Sequence, residues 1–159
     1  MKKIIYIIIS FMLLVSINAC TGYKPIYSSE NIQFTIADYS IGGDTRIAKI
    51  IYSKLNNLSK SNQNPEAVGI TITIKVSKEK KSTVKDSAGK VLEYKMTLKT
   101  DVIAMNYLTN GSILDQSFIE SASFKTHDQY SETIKRENKI IDNLINGTYQ
   151  EILLILSKN

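Results

Sequence analysis

Ile70-Thr71-Ile72-Thr73-Ile74-Lys75-Val76 alternates aliphatic with polar side chains at every step. Successive side chains of a strand point to opposite faces of a sheet, so this spacing predicts a strand with one buried and one wet face. A helix would scatter the same aliphatic residues around its girth. Downstream, Asp86-Ser87-Ala88-Gly89 offers turn residues, and Leu92, Tyr94, Met96 and Leu98 then alternate with Glu93, Lys95, Thr97 and Lys99. The two runs read as one long hairpin. Around Thr100 and Asp101 the parity becomes ambiguous, because Val102, Ile103, Ala104 and Met105 are consecutive. A bulge, or a section buried on both faces, is expected there. Asn110-Gly111 is a hairpin signal of the type I′ kind, and Leu114, Phe118, Ala122 and Phe124 mark a fourth strand after it.

Upstream, Ser59 to Ala67 keeps no periodicity and contains Asn62, Asn64 and Pro65, which reads as a polar loop. Before it, Ile47, Ile50, Ile51, Leu55 and Leu58 fall on one helical stripe, and Asp44 is placed to cap that helix. Gly42-Gly43 is expected to break a first strand, Ile32 to Tyr39, in which Ile32, Phe34 and Ile36 alternate with Gln33, Thr35 and Ala37. From about Tyr130, Ile134, Ile141, Ile145, Ile152 and Leu156 recur at helical spacing with charges between them. This gives a long amphipathic C-terminal helix in which Gly147 is a weak point. The order β-α-β-β-β-α predicts an α+β fold: a four-stranded mixed sheet with two helices packed on one face. A crossover makes the first two strands parallel, and the later hairpins are antiparallel.

The start of the chain has another character. Lys2 and Lys3 precede an apolar run from Ile4 to Ile17, which falls short of the roughly 18 apolar residues a membrane-spanning helix needs. Residues 1–19 are therefore expected to be a cleaved signal peptide, residues 20–30 a lipidated tether, and residues 31–159 a single α+β domain. Ile17-Asn18-Ala19-Cys20 has the order of a lipobox: an aliphatic residue, a tolerant position, a small residue, then the cysteine that is acylated. Cys20 is also the only cysteine, so it has no internal disulfide to make. After cleavage 18 basic residues face 15 acidic ones. So mild an excess, in an exported chain without a recognition motif, argues against nucleic acid as a partner.

Chemistry is sparse. His127, in Thr126-His127-Asp128-Gln129, is the only histidine, and it reads as a solvated residue near the start of the last helix. No serine sits in a Gly-x-Ser-x-Gly frame, and Gly42-Gly43 lacks the pattern of a phosphate-cradling loop. One histidine and one cysteine cannot assemble the usual zinc ligand sets, and the acidic residues show no calcium-loop spacing. No enzyme, no metal and no cofactor is expected. One charged feature stands out: Lys75, Lys78, Lys80, Lys81 and Lys85 crowd the far half of the second strand, Lys90 begins the third, and Glu79 and Asp86 dilute them. Lysines blunt an exposed strand end against edge-to-edge pairing. Lys78, Lys80, Lys81 and Lys85 are alternatively a binding site for the phosphate or carboxylate groups of a glycolipid head, with Val76 and Val84 touching its apolar part.

Cys20 with Gly22-Tyr23-Lys24-Pro25-Ile26-Tyr27 after it resembles the start of the lipopolysaccharide-assembly lipoprotein family, LptE, in which a Gly-aromatic-basic-Pro-aliphatic-Tyr run follows the lipidated cysteine. The pattern continues through Arg46-Ile47-Ala48, through Glu93-Tyr94-Lys95-Met96-Thr97-Leu98 and into the charged last helix. Asn18 and the abundance of lysine and isoleucine depart from it. The resemblance implies a small α+β lipoprotein that sits inside the LptD outer-membrane β-barrel, supports its assembly and helps deliver lipopolysaccharide to the outer leaflet. Thr21 is not the aspartate that retains lipoproteins in the inner membrane, which fits outer-membrane sorting with the domain facing the periplasm. The expected partners are thus an LptD-like barrel, lipopolysaccharide, and the membrane through the N-terminal acyl chains. The competing expectation is an independent lipid-anchored module that binds an amphiphile or another envelope protein.

Overall fold

The structure is a computed structural model that describes residues 33–61 and 64–157. The expected signal peptide, the tether with Cys20, and Ile32 lie outside the described residues. The stretch from Ile70 to Val76 is the near half of strand β2, Val68–Lys85, where Ile70, Ile72, Ile74 and Val76 are all buried and Lys75 is exposed. Each such side chain contributes about 1.5–3 kcal/mol on leaving water. Strand β3, Val91–Asn106, pairs antiparallel with β2. At the tip the Asp86 carboxylate accepts the amides of Ala88 and Lys90, both at 2.9 Å, and Gly89 takes the positive φ that closes the turn.

The irregularity expected around Thr100 to Met105 falls late in that run and on one side of β3: the register with β4 shifts between Ala104 and Met105, while the pairing with β2 is unbroken there. Val76 to Lys81 face Thr100 to Lys95 without a shift, and Thr100 occupies the buried parity between Leu98 and Val102. Ile103 and Met105 simply lie on the wetter face. Thr100 and Thr148 are buried with hydroxyls that find no hydrogen-bond partner. A buried unpaired hydroxyl costs about 1–3 kcal/mol, so Thr100→Val raises stability by about 1 kcal/mol, read as a higher urea midpoint. A lower midpoint would mean that the hydroxyl is in fact satisfied.

The connection to strand β4, Ser112–Lys125, is also wider than a two-residue turn. Among the described residues Asn110 is the one non-glycine residue with a positive φ, of 56°, while Gly111 does not have one, so the type I′ geometry is not adopted. Instead the Asn106 side chain accepts the amides of Leu108 and Thr109, both at 2.9 Å, and organises a longer loop. Asparagine tolerates the left-handed region because its short polar side chain bonds locally.

Strand β1, Phe34–Gly43, runs parallel to β2 and continues through the glycine pair expected to end it. A register shift between Ile36 and Asp38 inserts one extra residue. Phe34 and Ile36 face the core before it and Ile41 after it, which is why simple alternation fails along this strand. Asp44 then caps helix α1, Thr45–Ser61, accepting the Ile47 amide at 3.2 Å as its position suggested. Helix α2, Tyr130–Leu156, passes through Gly147 without interruption. There the missing side chain leaves room for Glu120 of β4, whose Oε1 would lie 3.1 Å from an added Cβ.

The sheet order is β1-β2-β3-β4, with β1-β2 parallel and the other pairs antiparallel. Helix α1 packs over β1 and β2, α2 packs over β4 and β3, and the two helices touch, so both cover one face. Among the described residues the other face is open. The domain consequently has two distinct ends. The β2-β3 turn and the start of α2 share one, while Gln33, the β3-β4 turn and the end of α2 share the other.

Candidate functional site

The lysine-rich half of β2 forms the first end, but the pleat divides its charges. Lys78 and Lys80 lie opposite Leu98 and Met96, on the helix-covered face. Lys81 lies opposite Lys95, on the open face. Lys85 follows two further register shifts at the end of the strand. The structure therefore does not gather Lys78, Lys80, Lys81 and Lys85 into one anion site.

The two on the helix face have carboxylate partners. Lys78 Nζ is 4.0 Å from the Asp44 carboxylate that caps α1. Lys80 Nζ donates to Glu137 of α2 at 2.6 Å and lies 4.3 Å from the centre of the Tyr94 ring and 5.5 Å from that of Phe124. With side chains only 32% and 17% exposed, the Lys80-Glu137 pair is shielded more than a surface ion pair and clasps the start of α2 to the sheet. Glu137→Gln and Lys80→Met are each expected to lower stability by about 1 kcal/mol, and the double variant by less than their sum. Strict additivity in urea unfolding would show that the pair is not coupled.

On the open face Lys81 pairs with Glu79 at 3.0 Å, and Lys95 lies directly across the strands from Lys81. Like charges placed opposite one another repel, so this corner favours an anion. Lys95 and Lys125 belong to it by cross-strand register, and their sequence positions gave no sign of that. Further along this face the Asp101 carboxyl is held below the usual carboxylate range, first by the Ser117 hydroxyl at 2.5 Å and then by Lys99 at 3.2 Å.

Between the hairpin and the β4-α2 link lies a groove of about 410 Å³ lined by Val84, Lys90, Leu92, Glu93, Lys125, Thr126 and Asp128. Thr126 fixes its floor by donating its amide to Leu92 O at 2.9 Å and its hydroxyl to Val91 O at 2.9 Å. Lys90 meets Asp128 at 3.0 Å, and this hydrogen bond is the main reason the Asp128 carboxyl lies below its ordinary range. Val84 and Leu92 give the groove an apolar side, and its two ammonium groups, Lys90 and Lys125, are matched by the carboxylates of Asp128 and Glu93. His127 is exposed next to the groove, where its Nδ1 accepts the Gln129 amide at 3.2 Å and its own amide donates to Thr133. It serves the start of α2. Among the described residues no group of His, Cys, Asp and Glu is arranged to hold a metal, and no helix is long and apolar enough to cross a membrane.

Solved structures with the same arrangement of strands and helices identify the fold. Several solved bacterial lipoproteins share it. A minor lipoprotein from Acinetobacter baumannii superposes with a TM-score of 0.59 at 11% identity, covering 80% of this chain and 93% of that one. Rare lipoprotein B from Shewanella oneidensis gives 0.54 at 10% identity over 76% and 94% of the two chains. A lipoprotein B from Nitrosomonas europaea gives 0.55 at 15% identity over 84% and 88%. No family model matches the chain, and no curated protein matches it in sequence. Identities this low establish a shared architecture alone.

Proposed function

We propose that this chain is a lipid-anchored outer-membrane protein, facing the periplasm, that associates with and plugs a β-barrel of the LptD kind and assists lipopolysaccharide transport and assembly. The observation that carries the reading is the fold shared with rare lipoprotein B over 94% of that chain. Cys20 behind its signal, and the resemblance of Cys20 to Tyr27 to the LptE start, support it independently. The work is binding and plugging, not catalysis. Affinity isolation from gently solubilised membranes, followed by identification of what comes with the protein, tests it. A large outer-membrane barrel is the expected companion; recovery only as a free monomer would sink the reading.

A second reading, an independent lipid-anchored module for an amphiphile, is favoured by the groove beside Val84 and Leu92. Both readings send an anionic head group to the hairpin end. Lys90→Ser with Lys125→Ser should then weaken glycolipid binding, whereas Lys80→Ser, which removes the clasp to Glu137, should change stability instead. Tight glycolipid binding by the isolated protein, with no barrel in the preparation, selects the second reading.

A further inference from the structure

The end of the domain opposite the lysines carries a different surface. Leu108 is 86% exposed and Tyr107 54% exposed at the β3-β4 turn, with Val68 and Met105 half-exposed behind them. This exposure is built in. Asn106 holds the backbone of Leu108 and Thr109 through two 2.9 Å hydrogen bonds, Asn110 N donates to Asn106 O at 2.9 Å, and Gly111 O accepts the Asn106 amide at 2.8 Å. Tyr107 lies across from Gly69, which offers its ring no side chain to pack on. From Val102 to Leu114 the chain has no Asp, Glu, Lys, Arg or His. The β2-β3 turn at the far end, by contrast, is flanked by Lys85, Asp86 and Lys90.

The position of the chain's entry selects what covers this surface. Gln33 O accepts the Val68 amide at 2.7 Å, and the neighbouring Gly69 O accepts the Tyr107 amide at 2.8 Å. The point where the N-terminal segment joins the sheet and the exposed turn are thus two strand spacings apart, about 10 Å. Cys20 precedes Gln33 by 13 positions, and so short a segment reaches at most about 45 Å. The turn that is uncharged and held by its own hydrogen bonds lies at the end of the sheet where the N-terminal segment enters, with Lys60 and Glu66 as charges on the neighbouring link from α1 to β2. Tyrosine and leucine on an uncharged turn are suited to the boundary between head groups and acyl chains.

We propose that Tyr107 and Leu108 insert into the head-group region of the leaflet that holds the lipid anchor, as a second membrane contact that orients the domain with its lysine-rich end away from that leaflet. This rests on acylation of Cys20, part of the reading above. The test uses the mature acylated protein in vesicles of phosphatidylethanolamine and phosphatidylglycerol, with Thr109→Cys or Ala88→Cys as the one free thiol, labelled with an environment-sensitive dye. Flotation of the vesicles reports the anchor, and quenching by lipids spin-labelled near the head group reports the contact. The dye at position 109 should emit to the blue and be quenched several-fold more than the dye at position 88, and Leu108→Ser should abolish the difference. Protein that floats while both dyes remain in water overturns the contact and leaves the anchor standing. A blue-shifted dye at position 109 that the lipids do not quench means that protein covers the turn, and also overturns the contact. Protein that fails to float overturns anchor and contact together.

Discussion

Gly43→Ala is expected to lower stability by about 3 kcal/mol or more, the largest loss from so small a change anywhere in the described structure. Gly43 has a φ of +71°, and a Cβ built on it would lie 2.0 Å from the carbonyl oxygen of Val76 and 2.9 Å from its carbon. The obstacle is backbone in the middle of the sheet, so no side chain can swing aside. The same Val76 oxygen accepts the Asp44 amide at 2.8 Å, and Asp44 caps α1. Any shift that relieves the clash therefore loosens both the β1-β2 pairing and the start of the helix. Gly89→Ala is the control. Its φ of +84° carries the same backbone penalty, about 1–2 kcal/mol, but nothing lies within 4 Å of the added carbon. The difference between the two variants in urea unfolding measures the steric part. Equal losses would show that close approach to Val76 is not what requires glycine at position 43.

That glycine also shows where reading the sequence stops short. A Gly-Gly pair after an alternating run signals a break, and the helix does begin immediately afterwards at Thr45. What local pattern cannot reveal is that both glycines still pair with Lys75 and Val76, because that contact joins residues more than thirty positions apart. The hairpin of β2 and β3 was legible because its alternation is long and its turn is fixed by Asp86 and Gly89. The shift after Ile36 was not, since a bulge leaves the composition unchanged while exchanging the faces. Asn110-Gly111 correctly placed a turn, but the competing hydrogen bonds of the Asn106 side chain widened it.

The lysines were visible as a cluster in sequence and are not one in space. Lys80 and Lys81 are neighbours along the chain, yet one reaches Glu137 on the helix side and the other meets Glu79 on the open side. The period-two rule that identified β2 already implies this division, and it extends to the exposed half of a strand as well as to the buried half. Lys95 and Lys125, by contrast, join the open-face corner only through the register of three strands. No one-dimensional signal marks them.

Cys20→Ala is expected to have the largest functional effect. Each buried acyl CH₂ contributes about 0.8 kcal/mol, so one chain binds a bilayer marginally whereas several on one cysteine hold it essentially permanently. Made behind an ordinary secretory signal, so that the leader is still removed, the variant should pass from the membrane fraction to the soluble periplasmic fraction, because the remaining contact through Tyr107 and Leu108 amounts to two side chains. The proposed anchor would also act as a concentrator: holding the domain at the leaflet would turn its encounter with a membrane barrel into a nearly intramolecular event. The variant therefore separates two ways of staying on the membrane. Whatever fraction of Cys20→Ala protein remains bound is held by a protein partner, and depleting the barrel should release it. If the variant fractionates with membranes as fully as the wild type after the barrel is removed, acylation is not what retains this protein, and the outer-membrane role built on it falls.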